Sequence, residues 1–195
     1  VGIMSGKGIE FEIISDGAGR QRVSFENGRL SYNGTLYDEL LFDARTMSTM
    51  FAEPTFILYG VTIGVDFHWE RKLNGKFAGS LKFIVEGDNV VAVNVIGIED
   101  YLLSVISSEM KPTAPLEYLK AHAVISRTWV MKQIARRKSG DNASRCPEDR
   151  LEDGILHIER WFDTNDHKAF DVCADDHCQR YQGITKETSP NVAVA

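Results

Sequence analysis

The chain has 195 residues, 43% of them hydrophobic and 26% charged, with a formal net charge of −6. Those values are ordinary for a globular protein long enough to bury a core in one sizeable domain or two small ones. No apolar run approaches the ~20 residues that a membrane-spanning helix needs, and the acidic balance makes a phosphate-backbone partner a poor default, so no nucleic-acid role is expected.

From about residue 9 to 96 the sequence reads as strands. The stretch RVSFENGRLSYNGTLY carries two Asn-Gly pairs, Asn27-Gly28 and Asn33-Gly34, each placed for a type I′ hairpin turn. TFILYGVTIGVDFHWE is rich in β-branched and aromatic residues, and SLKFIVEGDNVVAVNVI reads as two strands joined at Gly87-Asp88. Residues 43 to 53 fit a short helix or a loop equally well.

The character changes at Gly97. IEDYLLSVISSEM opens with Glu99 and Asp100, acids suited to the positive end of a helix, and Pro112 and Pro115 break it. Pro115 then suits the start of a second helix that ends in Arg and Lys before Gly140. Residues 139 to 154 are polar and loop-like. The fold class expected is α+β, a β-rich N-terminal part followed by a mixed helical part with antiparallel strands.

Leu102, Val105, Ile106 and Glu109 fall on one stripe at helical spacing, so an acid occupies a place where the pattern asks for an apolar side chain. The bland reading is a carboxylate at a helix end pointing to water. The sharper one is a half-buried carboxyl group, whose charged form burial disfavours, serving as a general acid. On the second helix Lys120 and Arg127 share a stripe with Leu116, Leu119, Ala123, Val130 and Ile134. They either snorkel to solvent or point toward a site that also holds Glu109. His122 lies on a more polar face and gains no role from spacing.

HKAFDVCADDHCQ places His167, Cys173, His177 and Cys178 within twelve residues, four ligands suited to zinc. A structural site is preferred, because four protein ligands leave no open position for a substrate. A Cys173–Cys178 disulfide and ordinary buried thiols are the alternatives. The third cysteine, Cys146, reads as a bystander, and His157 as a packed histidine; an odd count makes a full disulfide framework unexpected.

Taken in order, NVIGIEDYLLSVISSEMKPTAPLEYLKAHAVISRTW resembles the signature of the stage II sporulation protein D and amidase-enhancer family: an LEDYL-type helix, a SEM segment, then a proline-led helix of KAQAVAART type. FAGSLKF upstream and FDVCADDHCQRYQG downstream resemble further family segments, and the similarity covers roughly residues 77 to 183. Lys111 stands where the family usually has proline, and His122 where it usually has glutamine. The resemblance divides the chain into a β-rich accessory region, 1–75, and a catalytic region, 76–195, which the family pattern continues beyond Ala195 with a strand-rich segment carrying Ser and Gly motifs.

The resemblance implies a peptidoglycan lytic transglycosylase. Such an enzyme cleaves the bond between N-acetylmuramic acid and N-acetylglucosamine, leaves a 1,6-anhydro end, and prefers glycan strands already stripped of stem peptides. It implies Glu109 as the catalytic acid, with Lys120 and Arg127 as the family's Lys and Arg on the following helix. It also favours zinc at His167, Cys173, His177 and Cys178. Location in the cell envelope follows from the substrate, while no signal peptide is visible in the chain. Two rivals stand beside this expectation: a non-catalytic module that grips glycan and enhances a partner cell-wall amidase, and, further off, a zinc-dependent hydrolase.

Overall fold

Both Asn-Gly pairs make the turns that their residue types favour: Asn27 and Gly28 have φ of 51° and 80°, Asn33 and Gly34 of 50° and 76°, the left-handed values of a type I′ hairpin. The computed structural model describes residues 1–43, 53–65, 67–139, 150–152, 154–157, 167–184 and 189–195. Cys146, and nearly all of the ambiguous 43–53 segment, lie outside these. Around the turns run β1 (Gly2–Gly6), β2 (Gly8–Ile13), β3 (Arg20–Glu26), β4 (Arg29–Tyr32), β5 (Thr35–Tyr37) and β6 (Leu40–Phe42). They are followed by β7 (Phe56–Ile63), β8 (Arg71–Phe77), β9 (Ser80–Glu86) and β10 (Asn89–Val95). Strands thus begin at Gly2, earlier than the alternation in the sequence marks, because β1 is paired along its length with the long apolar β10.

These ten strands form two sheets, all their ladders antiparallel. One has the order β5-β4-β3-β2-β7-β8 and the other β1-β10-β9-β6. Strands β1 and β6 therefore hydrogen-bond to β10 and β9, joining the early part of the chain to the later hairpin. Phe11 of the first sheet lies 4.9 Å from Phe83 and 5.1 Å from Phe42 of the second, ring centroid to centroid. Aromatic pairs of this kind contribute about 0.5–1.5 kcal/mol each beyond their buried area. The observed architecture is α+β.

Helix α1 (Ile98–Glu109) buries Tyr101, Leu102, Val105 and Ile106 in the same core. Ser104, Ser107 and Ser108 are buried as well, small residues that let the backbone approach closely. Met110 is extended, with φ −117° and ψ 160°, and ends the helix. Helix α2 (Leu116–Ser139) buries Leu119, Ala123, Ser126 and Val130, a stripe at spacings of four, three and four. A short hairpin follows, β11 (Arg150–Glu152) with β12 (Ile155–His157), so three residues of the segment expected to be a loop are strand. His157 lies in β12, and the surroundings of its side chain fall outside the description. A last short helix, α3 (Pro190–Val194), packs Val192 into the core.

Candidate active site and metal centre

Glu109 ends α1 at the rim of the core, not inside it. The helix stripe carries Val105 and Ile106 to 0% and 2% exposure, but one turn later the helix runs out, and the Glu109 side chain retains 28%. Its two oxygens are held from two sides. Oε2 lies 2.9 Å from His122 Nε2 on α2, and Oε1 accepts the backbone N–H of Arg180 at 3.1 Å. His122 is itself only 12% exposed, its Nε2 lies 3.5 Å from Ser126 Oγ, and its Nδ1 is buried with no hydrogen-bond partner among the described residues. A buried N–H without an acceptor is costly, so the favoured neutral tautomer carries its proton on Nε2 and donates it to Glu109.

Lys120 and Arg127 sit one residue beyond Leu119 and Ser126, on the flank of the buried stripe. Lys120 Nζ bonds to Glu117 at 2.9 Å, with its side chain 43% exposed. Arg127 grips Glu99 in the first turn of α1, Nε to Oε1 at 3.1 Å, and this hydrogen bond holds its guanidinium above its ordinary pKa. Among the described residues, the ion-pair partners of these two cations are therefore Glu117 and Glu99, whereas the partners of Glu109 are His122 and a main-chain amide. Reading α2 alone placed His122 on a polar face; it meets Glu109 because α1 ends beside it, a fact of helix packing that no spacing within α2 contains. Arg180 contributes through its backbone, which leaves no trace in residue identity.

The Arg180 amide is fixed by its neighbours on both sides. Gln179 accepts a hydrogen bond from the buried Tyr101 hydroxyl at 3.0 Å. Tyr181 donates to Asn94 Oδ1 at 2.6 Å, and Asn94 in turn donates to the carbonyls of Ala78 and Ser80. The Tyr101 and Tyr181 rings stack at 5.2 Å, and burial drives both phenols well above their ordinary pKa. Gln182 N–H reaches Ser104 Oγ on α1 at 3.2 Å. Residues 179 to 182 are thus tied to α1 and β10.

Just upstream, His167, Cys173, His177 and Cys178 converge, with one ligand atom from each lying within 4.8 Å of all the others. Cys178 Sγ is 3.4 Å from His167 Nε2 and 3.5 Å from His177 Nδ1, and Cys173 Sγ is 3.9 Å from His177 Nδ1. Metal–sulfur and metal–nitrogen bonds of about 2.3 and 2.0 Å give a tetrahedron with edges of roughly 3.3–3.8 Å, so the four groups have the spacing to hold a metal ion. Among the described residues Cys173 and Cys178 are free and form no disulfide with each other. The Cys173 thiol is held well below its usual pKa, first by the hydrogen bond from Cys178 and then by His167, while the same bond and burial push Cys178 up. A bound dication would displace the protons of both thiols. The loop is anchored by a parallel bridge between Gly2 and Cys173, with Gly2 N–H to Val172 C=O and Ala174 N–H to Gly2 C=O both at 2.8 Å.

This is a fold and a site with a family. A profile of the Stage II sporulation protein family matches residues 86–195, more than half of the chain, and the chain belongs to that family. Membership of that family points to a cell-wall related function. An uncharacterised protein of Brachyspira hyodysenteriae is 44% identical over 78 residues, which are 40% of this chain and 20% of that relative's length. No solved structure matches the chain.

Proposed function

We propose that the protein is a peptidoglycan lytic transglycosylase acting on the bond between N-acetylmuramic acid and N-acetylglucosamine. One observation carries the reading: Glu109 stands at the surface end of α1 with 28% of its side chain exposed and both its oxygens held by nitrogen groups. Hydrolytic glycosidases ordinarily employ two carboxyl groups flanking the bond. A transglycosylase needs one, because the sugar supplies its own nucleophile. In the proposed reaction Glu109 passes a proton to the glycosidic oxygen as the C1–O bond breaks. The muramyl 6-hydroxyl then attacks C1, loses its proton to the Glu109 carboxylate, and closes the 1,6-anhydro ring.

In this reading His122 and the Arg180 amide orient the carboxyl group, and Lys120, exposed on the same helix as His122, binds polar groups of the glycan. Arg127 acts indirectly, by locking α2 to the first turn of α1. The His167, Cys173, His177, Cys178 set holds a structural zinc that steadies the loop delivering the Arg180 amide, and residues 1–75 are accessory to this centre. The substrate is glycan already stripped of stem peptides, which places the protein in the cell envelope, periplasmic or extracellular, downstream of a cell-wall amidase.

Digestion of purified strands with and without stem peptides, read by mass spectrometry, tests the reading. Anhydro-muramyl ends produced by the wild type and not by Glu109→Gln are expected. A folded protein that binds strands and yields no products would instead favour the non-catalytic amidase enhancer.

A further inference from the structure

The loop joining β7 to β8 lies outside the family-matched residues, yet it reaches the candidate site. Phe67 is 49% exposed at its tip and stacks on Trp69, with ring centroids 5.3 Å apart and planes 18° apart. Two turn hydrogen bonds close the loop on itself, Phe67 N–H to Gly64 C=O at 3.1 Å and Glu70 N–H to Phe67 C=O at 2.9 Å. Gly64 has φ +68°, and a Cβ there would fall 2.2 Å from a Trp69 ring carbon, so the indole lies flat on bare backbone.

Two contacts tether the loop to the segment that serves Glu109. The Arg180 guanidinium sits 4.6 Å from the Trp69 ring centre, held in place by Asp176 at 3.1 and 3.2 Å, and Asp175 accepts a hydrogen bond from the Val65 backbone. Arg180 thus touches the indole with its side chain and Glu109 with its main chain. The aromatic pair stands one arginine side chain away from the acid.

A single exposed phenylalanine is unremarkable on any protein surface. A rigidly seated aromatic stack, with Phe67 half-exposed on the partly buried Trp69 and bordered by the exposed His68 and Glu70, is a different object. It offers a flat apolar face with polar groups at its edge. A pyranose ring has the complementary form, an apolar face of C–H bonds rimmed by hydroxyls. We propose that Phe67 and Trp69 form a sugar-stacking subsite that holds a residue of the glycan strand displaced along the chain from the bond at Glu109. The subsite rests on the glycan reading of Glu109.

Calorimetric titration of stripped glycan strands into Glu109→Gln, with and without Phe67→Ala or Trp69→Ala, tests it without turnover. Phe67 belongs to the exposed tip, so its removal leaves the core intact. Each aromatic replacement is expected to weaken binding about two- to tenfold, the equivalent of the ~0.5–1.5 kcal/mol typical of aromatic stacking. In the otherwise wild-type protein Phe67→Ala is expected to raise KM for long strands with kcat unchanged. Tight binding by Glu109→Gln that neither replacement weakens overturns the subsite and leaves the function standing. Absence of binding even by Glu109→Gln overturns the function and the subsite together. Self-association of the wild type that Phe67→Ala abolishes, with glycan affinity unmoved, assigns the face to a second copy of the chain and also overturns the proposal.

Discussion

Glu109 is oriented by one imidazole and one amide, and only the imidazole is a side chain that mutation removes. Misplacing a reacting group by about 1 Å can cost about a hundredfold in rate, so His122→Ala is expected to lower kcat roughly ten- to a hundredfold through lost orientation. KM should change little, and His122→Gln, whose amide still offers a donor, should restore most of the rate. A kcat that does not respond to His122→Ala would show that Glu109 needs no such partner. A second expectation concerns the buried phenols. Tyr101 and Tyr181 are raised above the value of about 10 at which phenols ionise in an unfolded chain. Above about pH 10 the unfolded chain loses protons that the fold retains, so the stability present below that pH declines as pH rises. Tyrosinate absorbance should show part of its rise only with unfolding; complete ionisation in a folded protein would contradict the burial. At this scale the sequence displayed Glu109 as an acid out of pattern and the four metal-type ligands as a cluster. His122 was invisible because its partner comes from another helix, and Arg180 because an amide has no residue signature.

Among the elements, α1 and α2 were legible almost to the residue. Proline breaks, acids in the first turn and a periodic apolar stripe are local signals that packing did not override. The hairpins at Asn27-Gly28 and Asn33-Gly34 were legible for the same reason. Strand β1 was less so, since its Gly-rich stretch acquires its identity only by pairing with β10. The cations of α2 show the limit of a helical wheel, which sorts residues into faces but does not say which neighbouring acid lies opposite each. The Glu99 and Arg127 side chains are 69% and 39% exposed, and exposed pairs contribute about 0.2–1 kcal/mol. Arg127→Ala should therefore change stability by less than about 1 kcal/mol in urea unfolding, and a larger loss would mean that Arg127 is buried against something beyond Glu99.

Over the whole molecule, the loop of residues 167 to 182 connects the parts. It pairs with β1, offers four ligands to a metal, buries Tyr181 against β10 and presents the Arg180 amide to Glu109. Removing a structural metal should then act on stability and activity at once. Dialysis against a chelator is expected to release a single zinc, lower the melting temperature and abolish strand cleavage, with recovery on adding zinc back; full activity in metal-free protein would contradict the structural role. The sheet order behind this arrangement, with β1 and β6 flanking the β9–β10 hairpin, is a product of non-local pairing and was not written in any one stretch.

In the proposed reaction a single carboxyl group suffices because the sugar attacks itself. Digestion of stripped strands in water enriched in oxygen-18, analysed by mass spectrometry, addresses it most directly. Unlabelled 1,6-anhydro ends are expected from the wild type and none from Glu109→Gln. Newly formed ordinary reducing ends carrying oxygen-18 in wild-type products would show that water is the nucleophile and contradict the transglycosylase reading.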